Sequence, residues 1–207
     1  PAGETEGAAV NMRSYFDALY AGADDPYGTR ARWYERRKRA LTLAMLPHAR
    51  YARAFEPGCS IGELSGELAA RCDALWVSDG SETAVRVARA RLAPLPHVRV
   101  ERRLLPEQWP EARFDLVVLG EFGYYLDAAA LERLREHALG SLAPGGVLLA
   151  CHWRHPIDGA PLTGDAVHAV LGQGEGLHRL ARHEEEDFLL ELWSPDATSV
   201  ARREHLA

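Results

Sequence analysis

The sequence predicts an α/β protein with one mostly parallel sheet, and three observations lead to this fold class. Short apolar segments alternate with amphipathic ones, a glycine-containing turn follows the first apolar segment, and 207 residues suffice for one compact domain. Strands that are buried on both faces and separated by helices favour a parallel sheet with right-handed crossovers. We therefore expect a single doubly wound domain over residues 1–207.

Composition and charge narrow the class of protein. Hydrophobic residues make up 47% of the chain and charged residues 26%, as in ordinary globular proteins. No segment approaches the roughly 20 apolar residues of a membrane-spanning helix, so we expect a cytoplasmic protein without a membrane partner. A net charge of −6 gives no electrostatic reason to bind nucleic acid. Cys59, Cys72 and Cys151 lack CxxC spacing and are expected to be free thiols, without a metal site.

The first 47 residues are predicted to be mostly helical. Residues 1–10 lack periodicity and are expected to form a loose terminus. Apolar residues then recur at helical spacing from Asn11 to about Pro47, and the turn-rich segment Gly22–Gly28 divides them into two helices. The second helix carries the basic run Arg36–Arg39, which is expected on a solvated face.

The remaining elements follow from apolar runs and the amphipathic segments between them. Five runs are predicted as strands: Ala52–Phe55, Leu75–Ser78, Val98–Glu101, Phe114–Leu119 and Val147–Cys151. Three segments between them are predicted as helices: Ile61–Cys72, Glu82–Leu92 and Ala128–Leu139. The tail, Leu177–His183 and Phe188–Trp193, is predicted to form a hairpin that adds an antiparallel strand.

The segment Phe55–Leu64 joins the first strand to a helix, and such turns are where α/β sheets bind ligands. Gly58 and Gly62 allow a sharp turn and a close approach to a ligand, because neither carries a Cβ. Ser60 is predicted to be the N-cap of the helix, with Glu63 completing a capping box. A turn whose glycines are only structural remains an alternative.

The spacing of this turn separates two classes of nucleotide ligand. A dinucleotide fingerprint would be GxGxxG, with a pyrophosphate on the helix N-terminus, whereas this chain has GxSxG. Glu56 would repel a pyrophosphate, but its carboxylate can accept a hydrogen bond from the ammonium group of a methionine moiety. The turn therefore favours a sulfonium nucleoside. A nicotinamide-dependent reductase is the enzyme alternative, but the chain shows neither the fingerprint nor a Tyr–Lys pair.

Three more segments have positions that bear on ligand binding. Asp79 ends the second strand about 20 residues after the glycine turn, where a carboxylate can accept both ribose hydroxyls. Ser81 is expected to cap the next helix. Gly120–Tyr125 follows the fourth strand and lies over the predicted crevice, and Pro144–Gly146 is predicted as a turn that sets backbone geometry only.

In this order, Glu56–Gly62, Asp79, Phe114–Val118 and Pro144–Gly146 resemble the motifs of class I S-adenosylmethionine-dependent methyltransferases. The resemblance implies a Rossmann-like fold with a seven-stranded sheet, S-adenosyl-L-methionine as the cofactor and a small-molecule methyl acceptor. It implies no reaction beyond methyl transfer.

Within that class, the chain also resembles the nodulation protein S family of N-methyltransferases, which act on the free amine of a deacetylated chitooligosaccharide. The similarity covers about Asp25 to Trp153 and includes Trp33–Leu41 and Glu121–Tyr125. It implies that the helices of residues 1–47 form a lid over the cofactor, with Trp33 and Arg37 as candidates to touch its methionine end.

One departure concerns adenine. Many family members carry an acidic residue after the third strand, whereas this chain has Arg102–Pro106, so backbone groups near Leu104 or another side chain must serve. The candidate cofactor-binding residues are Trp33, Arg37, Glu56, Gly58, Cys59, Ser60, Gly62, Asp79, Gly80, Leu104, Leu105 and Glu121.

Methyl transfer to an amine needs positioning and a neutral nucleophile, which calls for a carboxylate or imidazole near the acceptor. Glu121, Tyr124, His152 and His155 follow predicted strands and are the candidate catalytic residues. Trp153 adds an aromatic plane suited to a sugar or polar ring, although it can equally be core packing. We expect a monomer or homodimer that methylates an amine or aminosugar; an O-methyltransferase and a non-catalytic binding module remain alternatives.

Overall fold

The computed structural model describes residues 25–207, so the predicted loose terminus and the first predicted helix lie outside the described residues. Within that range a seven-stranded sheet has the order β3-β2-β1-β4-β5-β7-β6. Its strands are β1 Tyr51–Pro57, β2 Cys72–Asp79, β3 Val98–Arg102, β4 Phe114–Gly120, β5 Leu142–Trp153, β6 His178–Glu184 and β7 Phe188–Ser194.

Six α-helices are described beside these strands. They are α1 Trp33–Ala44, α2 Glu63–Leu68, α3 Glu82–Leu92, α4 Ala128–Gly140, α5 Gly164–Leu171 and α6 Val200–Arg203. Two short 3₁₀ helices, Ala69–Arg71 and Gly123–Tyr125, follow α2 and β4. None of the helices described over residues 25–207 is both long and apolar enough to cross a bilayer.

The sheet is parallel from β3 to β5 and antiparallel at β7. The strands β4 and β7 are buried along nearly their whole length, whereas the edge strands β3 and β6 are half-buried to exposed. The fold-class prediction is therefore confirmed, including the C-terminal hairpin, because the alternation of apolar and amphipathic segments marks a sheet covered on both faces.

The strand order reverses between β1 and β4. From β1 the chain winds outward through β2 and β3, and then crosses to β4 and β5 on the other side. A crevice forms at the carboxyl ends of the strands where such a reversal occurs. The Gly58–Gly62 turn and the segment that follows Gly120 therefore flank one crevice.

Two element predictions need correction. The helix predicted over Ile61–Cys72 is only Glu63–Leu68 and a 3₁₀ turn, because β2 already begins at Cys72. Pro144–Gly146 lies within β5, next to a register shift between β4 and β5, and does not form a separate turn before the strand. Gly145 supplies the bend there with a φ of +72°.

The basic run on α1 also differs from its prediction. Lys38 and Arg39 are buried, and both are paired: Lys38 with Glu121 at 2.7 Å and Arg39 with Glu67 at 2.7 Å. Charged side chains are buried in this way only when they are paired, so one face of α1 is bound to the rest of the domain.

Candidate active site

The turn after β1 is built from backbone conformations that few residues adopt. Gly58 and Gly62 have φ values of +74° and +81°, and Ser60 between them also lies in the left-handed region at +51°. The amides of Gly58 and Cys59 donate to the carbonyl oxygen of Ser78 at 2.7 and 2.9 Å, which fixes the turn to the end of β2. A Cβ on Gly58 would lie 2.8 Å from the ring of Phe122.

The predicted capping box at this turn is wrong. Gly62 is the N-cap of α2 and no side chain caps this helix. Ser60 has left-handed backbone geometry, and the Glu63 carboxylate is held by Arg30 and Arg91 at 2.8 and 2.7 Å, so it does not fold back. The predicted cap at Ser81 is confirmed, because its hydroxyl accepts a hydrogen bond from the amide of Ala84.

Asp79 connects the two turns that flank the first half of the crevice. Its carboxylate oxygens accept hydrogen bonds from the amides of Ser60 and Ser81, each at 2.9 Å. Burial raises the pKa of Asp79, while these amides oppose that rise. The carboxylate therefore lies at the carboxyl end of β2, the position predicted for a ribose ligand, and its hydrogen bond to Ser60 also orders the glycine turn.

Glu56 is buried beneath the same turn. The hydroxyl of Ser65 donates to its Oε2 at 2.6 Å, and the side chain has almost no exposed surface. Burial raises its pKa to about 7, Ser65 lowers it and the neighbouring charge of Asp79 raises it further. A carboxyl that changes protonation near neutrality can respond to a cationic ligand at this position.

In the segment predicted to lie near adenine, one backbone donor already has a partner within the segment. The amide of Leu104 donates to the side-chain oxygen of Gln108 at 2.8 Å, and the Leu104 side chain is exposed. A Cβ on Gly80 would reach ordinary van der Waals distance, 3.7 Å, from Leu104. Leu105 packs against the core on the same side. Leu104 and Leu105 therefore give this segment apolar side chains at the position where an adenine contact is predicted.

Glu121 begins the second half of the crevice, and hydrogen bonds hold its side chain in one position. Its backbone is left-handed, with a φ of +57°, which few non-glycine residues adopt. Its Oε2 accepts the hydroxyl of Tyr124 at 2.6 Å and the amide of Trp153 at 2.9 Å, and its Oε1 accepts Lys38 Nζ at 2.7 Å. The carboxylate is thus fixed by three donors from three parts of the chain.

Lys38 is a buried partner of Glu121 that the sequence analysis missed. Burial lowers its pKa, but the charge of Glu121 and the nearby Cys151 and Glu35 raise it above its ordinary value. Lys38 therefore stays protonated and neutralises Glu121. Burial and Glu121 also raise the pKa of Tyr124, so its hydroxyl remains a donor. The available signal was the place of Lys38 in the segment that carries the family resemblance.

His152 is buried too deeply to act as a general base on an acceptor bound in the crevice. It is fully buried, its Nε2 accepts the amide of Gly123 at 3.3 Å, and its Nδ1 lies 3.1 Å from His168 Nε2. Burial, assisted by the positive charge of Lys38, lowers its pKa well below the ordinary value. Both ring nitrogens are engaged, so His152 is not placed to take a proton from an acceptor.

Three other predicted residues lie at the rim. His155 Nε2 pairs with Asp187 at 2.8 Å, and Arg37 pairs with Glu185 at 2.6 Å. Trp33 is 69% exposed at the start of α1. The structure therefore brings the Gly58–Asp79 residues together with Glu121 and Tyr124, and it leaves these three outside that group.

Comparison with known proteins gives independent findings. A family model described as a methyltransferase domain matches residues 54–146. Nodulation protein S of Rhizobium tropici is 30% identical over 178 residues, which cover 81% of this chain and 74% of that protein.

Two solved structures are similar as well. N-methyltransferase NodS from Bradyrhizobium japonicum WM9, in complex with S-adenosyl-L-homocysteine, is 25% identical, with a TM-score of 0.79 over 88% of this chain and 97% of that one. A Pseudomonas syringae protein described as a candidate methyltransferase is 57% identical, with a TM-score of 0.70 over 78% of this chain and 99% of that one.

Proposed function

This chain belongs to the class I S-adenosylmethionine-dependent methyltransferases, and we propose that it transfers the methyl group to an amine on a small, polar, sugar-like acceptor. S-adenosyl-L-methionine is the methyl donor of the family. The amine acceptor is supported by the likeness to nodulation protein S and to the N-methyltransferase NodS. We also propose a cytoplasmic location.

The residues present fit the cofactor. The left-handed glycines of the turn leave room for close approach, Asp79 offers a carboxylate for the ribose, and Glu56 lies below the turn for the ammonium. The bound cofactor supplies a methyl group already activated as a sulfonium. The contribution of this chain is therefore positioning, exclusion of water and control of charge around the acceptor.

The observation that carries the amine proposal is the arrangement of Glu121. A carboxylate has about four lone-pair sites, and three are used by Tyr124, the Trp153 amide and Lys38. The remaining site, on Oε1, can accept one N–H of the acceptor and orient its lone pair. Because Lys38 neutralises the carboxylate, Glu121 can position the amine without holding it in its protonated form, and the amine loses its proton to solvent before transfer.

The α1 helix is proposed to cap both halves of the crevice. Arg39 binds Glu67 beside the glycine turn, Arg30 just before the helix binds Glu63, and Lys38 binds Glu121 on the other side. Hydrogen exchange of residues 25–46 with and without S-adenosylhomocysteine tests this cap. Slower exchange in the complex is expected, and equal exchange in both states would remove it.

The experiment for the reaction is release of S-adenosylhomocysteine on a panel of amines, aminosugars, phenols and carboxylates. Turnover is expected on primary amines only. Glu121→Gln keeps size and hydrogen bonding but removes the charge, and kcat should fall by about tenfold or more while the dissociation constant for S-adenosylhomocysteine stays within about twofold. Glu35→Gln is the matched control, because Glu35 is the second carboxylate on Lys38, at 3.3 Å.

Three results would count against this proposal. Turnover of Glu121→Gln at the wild-type rate would remove Glu121 from the acceptor site. Methylation of phenols or carboxylates alone would exclude N-methylation and make the chain an O-methyltransferase. Tight cofactor binding without turnover on any acceptor would favour a non-catalytic module.

A further inference from the structure

A line of buried polar side chains runs along one face of the sheet, between β5, β7 and α5. His152 on β5, His168 on α5 and Glu191 on β7 are each no more than 3% exposed. The distance from His152 Nδ1 to His168 Nε2 is 3.1 Å, and from His168 Nδ1 to Glu191 Oε2 it is 2.8 Å. At the inner end, the amide of Gly123 donates to His152 Nε2 at 3.3 Å.

These contacts fix the protons on both imidazoles. His152 Nε2 accepts an N–H and is therefore unprotonated, so the neutral ring carries its proton on Nδ1. That proton is donated to His168 Nε2, and His168 in turn donates from Nδ1 to the carboxylate of Glu191. Every donor along the line has one acceptor, and reversing one ring would leave a buried N–H unpaired.

The outer end of the line is anchored at the protein surface. Arg179 and Arg182 on the edge strand β6 donate to Glu191 Oε1 at 3.0 and 2.9 Å. Their side chains are partly exposed, and they line a cleft of about 280 Å³ together with His168 and Glu191. Glu191 is therefore charged and held in place, which orients both imidazoles from one end.

The inner end fits closely against the loop that carries Glu121 and Tyr124. A Cβ on Gly123 would lie 2.7 Å from Val167 Cγ1 and 3.0 Å from His152 Nε2, so the loop rests directly on the imidazole. The ring of Tyr124 meets that of His152 edge-on, with centroids 5.4 Å apart. A shift of the His152 ring would move the loop.

We infer that His152, His168 and Glu191 are positioning residues, which set the place of the Glu121–Tyr125 loop through the amide of Gly123. Apolar side chains of similar size would fill this space without the desolvation cost of the polar groups, so core stability alone does not explain the line. A directional hydrogen bond instead selects one conformation of the loop and of the left-handed Glu121. The benefit to methyl transfer rests on the proposed function, whereas the loop placement does not.

The first test uses the full chain with ¹⁵N-labelled histidine and needs no acceptor. Nitrogen chemical shifts near neutral pH should show His152 as a neutral ring protonated on Nδ1, with a proton on Nδ1 of His168 as well. Protonation of His152 on Nε2 would overturn the inference, because the Gly123 amide would then have no acceptor.

The second test compares substitutions at His152. His152→Leu should speed hydrogen exchange of the Gly123 amide and lower kcat, each by about tenfold or more, with S-adenosylhomocysteine affinity within about twofold. His152→Gln retains an acceptor and a donor and should restore both quantities to within about threefold. Unchanged exchange in His152→Leu, or an equal loss in both variants, would contradict a positioning role.

Glu191→Gln keeps a side chain of the same size at the outer end of the line. It provides a second test if His152→Leu does not fold. Glu191→Gln should also speed hydrogen exchange of the Gly123 amide, although His168 and His152 lie between Glu191 and that amide. Unchanged exchange would overturn the coupling along the line. The kcat measurements use whichever acceptor in the panel turns over, and absence of any turnover would count against the proposed function while the exchange and tautomer results stand.

Discussion

The two halves of the crevice are constructed in different ways. In the half that begins at Gly58, the decisive contacts join neighbouring turns: Asp79 reaches Ser60, 19 positions away, and the amide of Ser81 next to it. In the half that begins at Glu121, the carboxylate meets Lys38 across 83 positions and the Trp153 amide across 32. The first half depends on local spacing, and the second depends on the finished fold.

This difference explains what each half can tolerate. The Gly58 half depends on left-handed backbone conformations and on buried carboxyl groups. Cofactor binding should therefore be lost when a larger side chain enters this half or when a carboxyl group is removed. In the Glu121 half, three donors hold one carboxylate. Substitution of residues at the rim should therefore change activity little, whereas substitution of Glu121 should reduce it. Four predictions, from the largest expected effect to the smallest, test this contrast.

The largest effect is expected from Gly58→Val. The substitution places a branched side chain at a φ of +74° and brings Cβ to 2.8 Å from Phe122, in the space proposed for the cofactor. Binding of S-adenosylhomocysteine should weaken by about a thousandfold or more, roughly 4 kcal/mol. Calorimetry measures this loss.

Gly145→Val is the matched control for that variant. Gly145 has a nearly identical φ of +72°, but a Cβ there meets nothing within 4 Å. The control should lose stability and retain cofactor affinity. Equal loss of affinity in both variants would show that strain, and not the position of Gly58, weakens binding.

A second effect concerns pH and Glu56. A carboxyl whose pKa is raised on folding, here from 4.5 to about 7, contributes stability that is complete below its unfolded pKa and lost as pH rises through its folded pKa. Stability of the ligand-free wild type should therefore decline between these two values by about 3 kcal/mol relative to Glu56→Gln. Urea unfolding of both proteins across this range provides the measurement, and parallel curves would show that Glu56 titrates normally.

Asp79→Ala should weaken cofactor binding by about 2 to 3 kcal/mol, because a charge-assisted acceptor for the ribose is lost. Asp115→Ala is the matched control, since Asp115 also accepts two backbone amides, of Ala52 and Arg53, but at the amino ends of β1 and β4. Calorimetry on both variants separates a ligand contact from loop ordering. An equal loss in the two would remove Asp79 from the ribose site.

The smallest effect is expected from His155→Ala. The His155–Asp187 pair is close to half exposed on both sides, and such pairs contribute less than about 1 kcal/mol. Both kcat and KM should stay within about twofold of the wild type in the panel assay. A tenfold fall in kcat would show that the acceptor half extends to the rim, contrary to the comparison above.

The sequence predicted most of the fold because alternation of apolar and amphipathic segments depends only on local burial. The helix over Glu82–Leu92 and the C-terminal hairpin follow directly from such patterns. The α2 helix was overextended because an apolar run cannot show that Cys72 already pairs with Tyr51 in the sheet. Tertiary pairing decided that boundary.

The same reasoning applies to the candidate site. The spacing from the glycine turn to Asp79 is local, and the structure places these residues together as predicted. The burial of Lys38, and the engagement of His152 by His168, depend on elements far apart in sequence, and no local pattern indicates them. Lys38 was therefore missed, and His152 was assigned as a candidate catalytic residue.

The strand order has a consequence for synthesis on the ribosome. The chain emerges with its N-terminal part first, so β1 to β4, and with them the Gly58–Asp79 half, are available before β7 appears. His152 and His168 must then wait for Glu191, which arrives with the strand that inserts between β5 and β6. A nascent chain can thus form the Gly58–Asp79 turns while His168 still lacks its partner Glu191, and insertion of β7 is the step that completes the line of side chains behind the Gly123 loop.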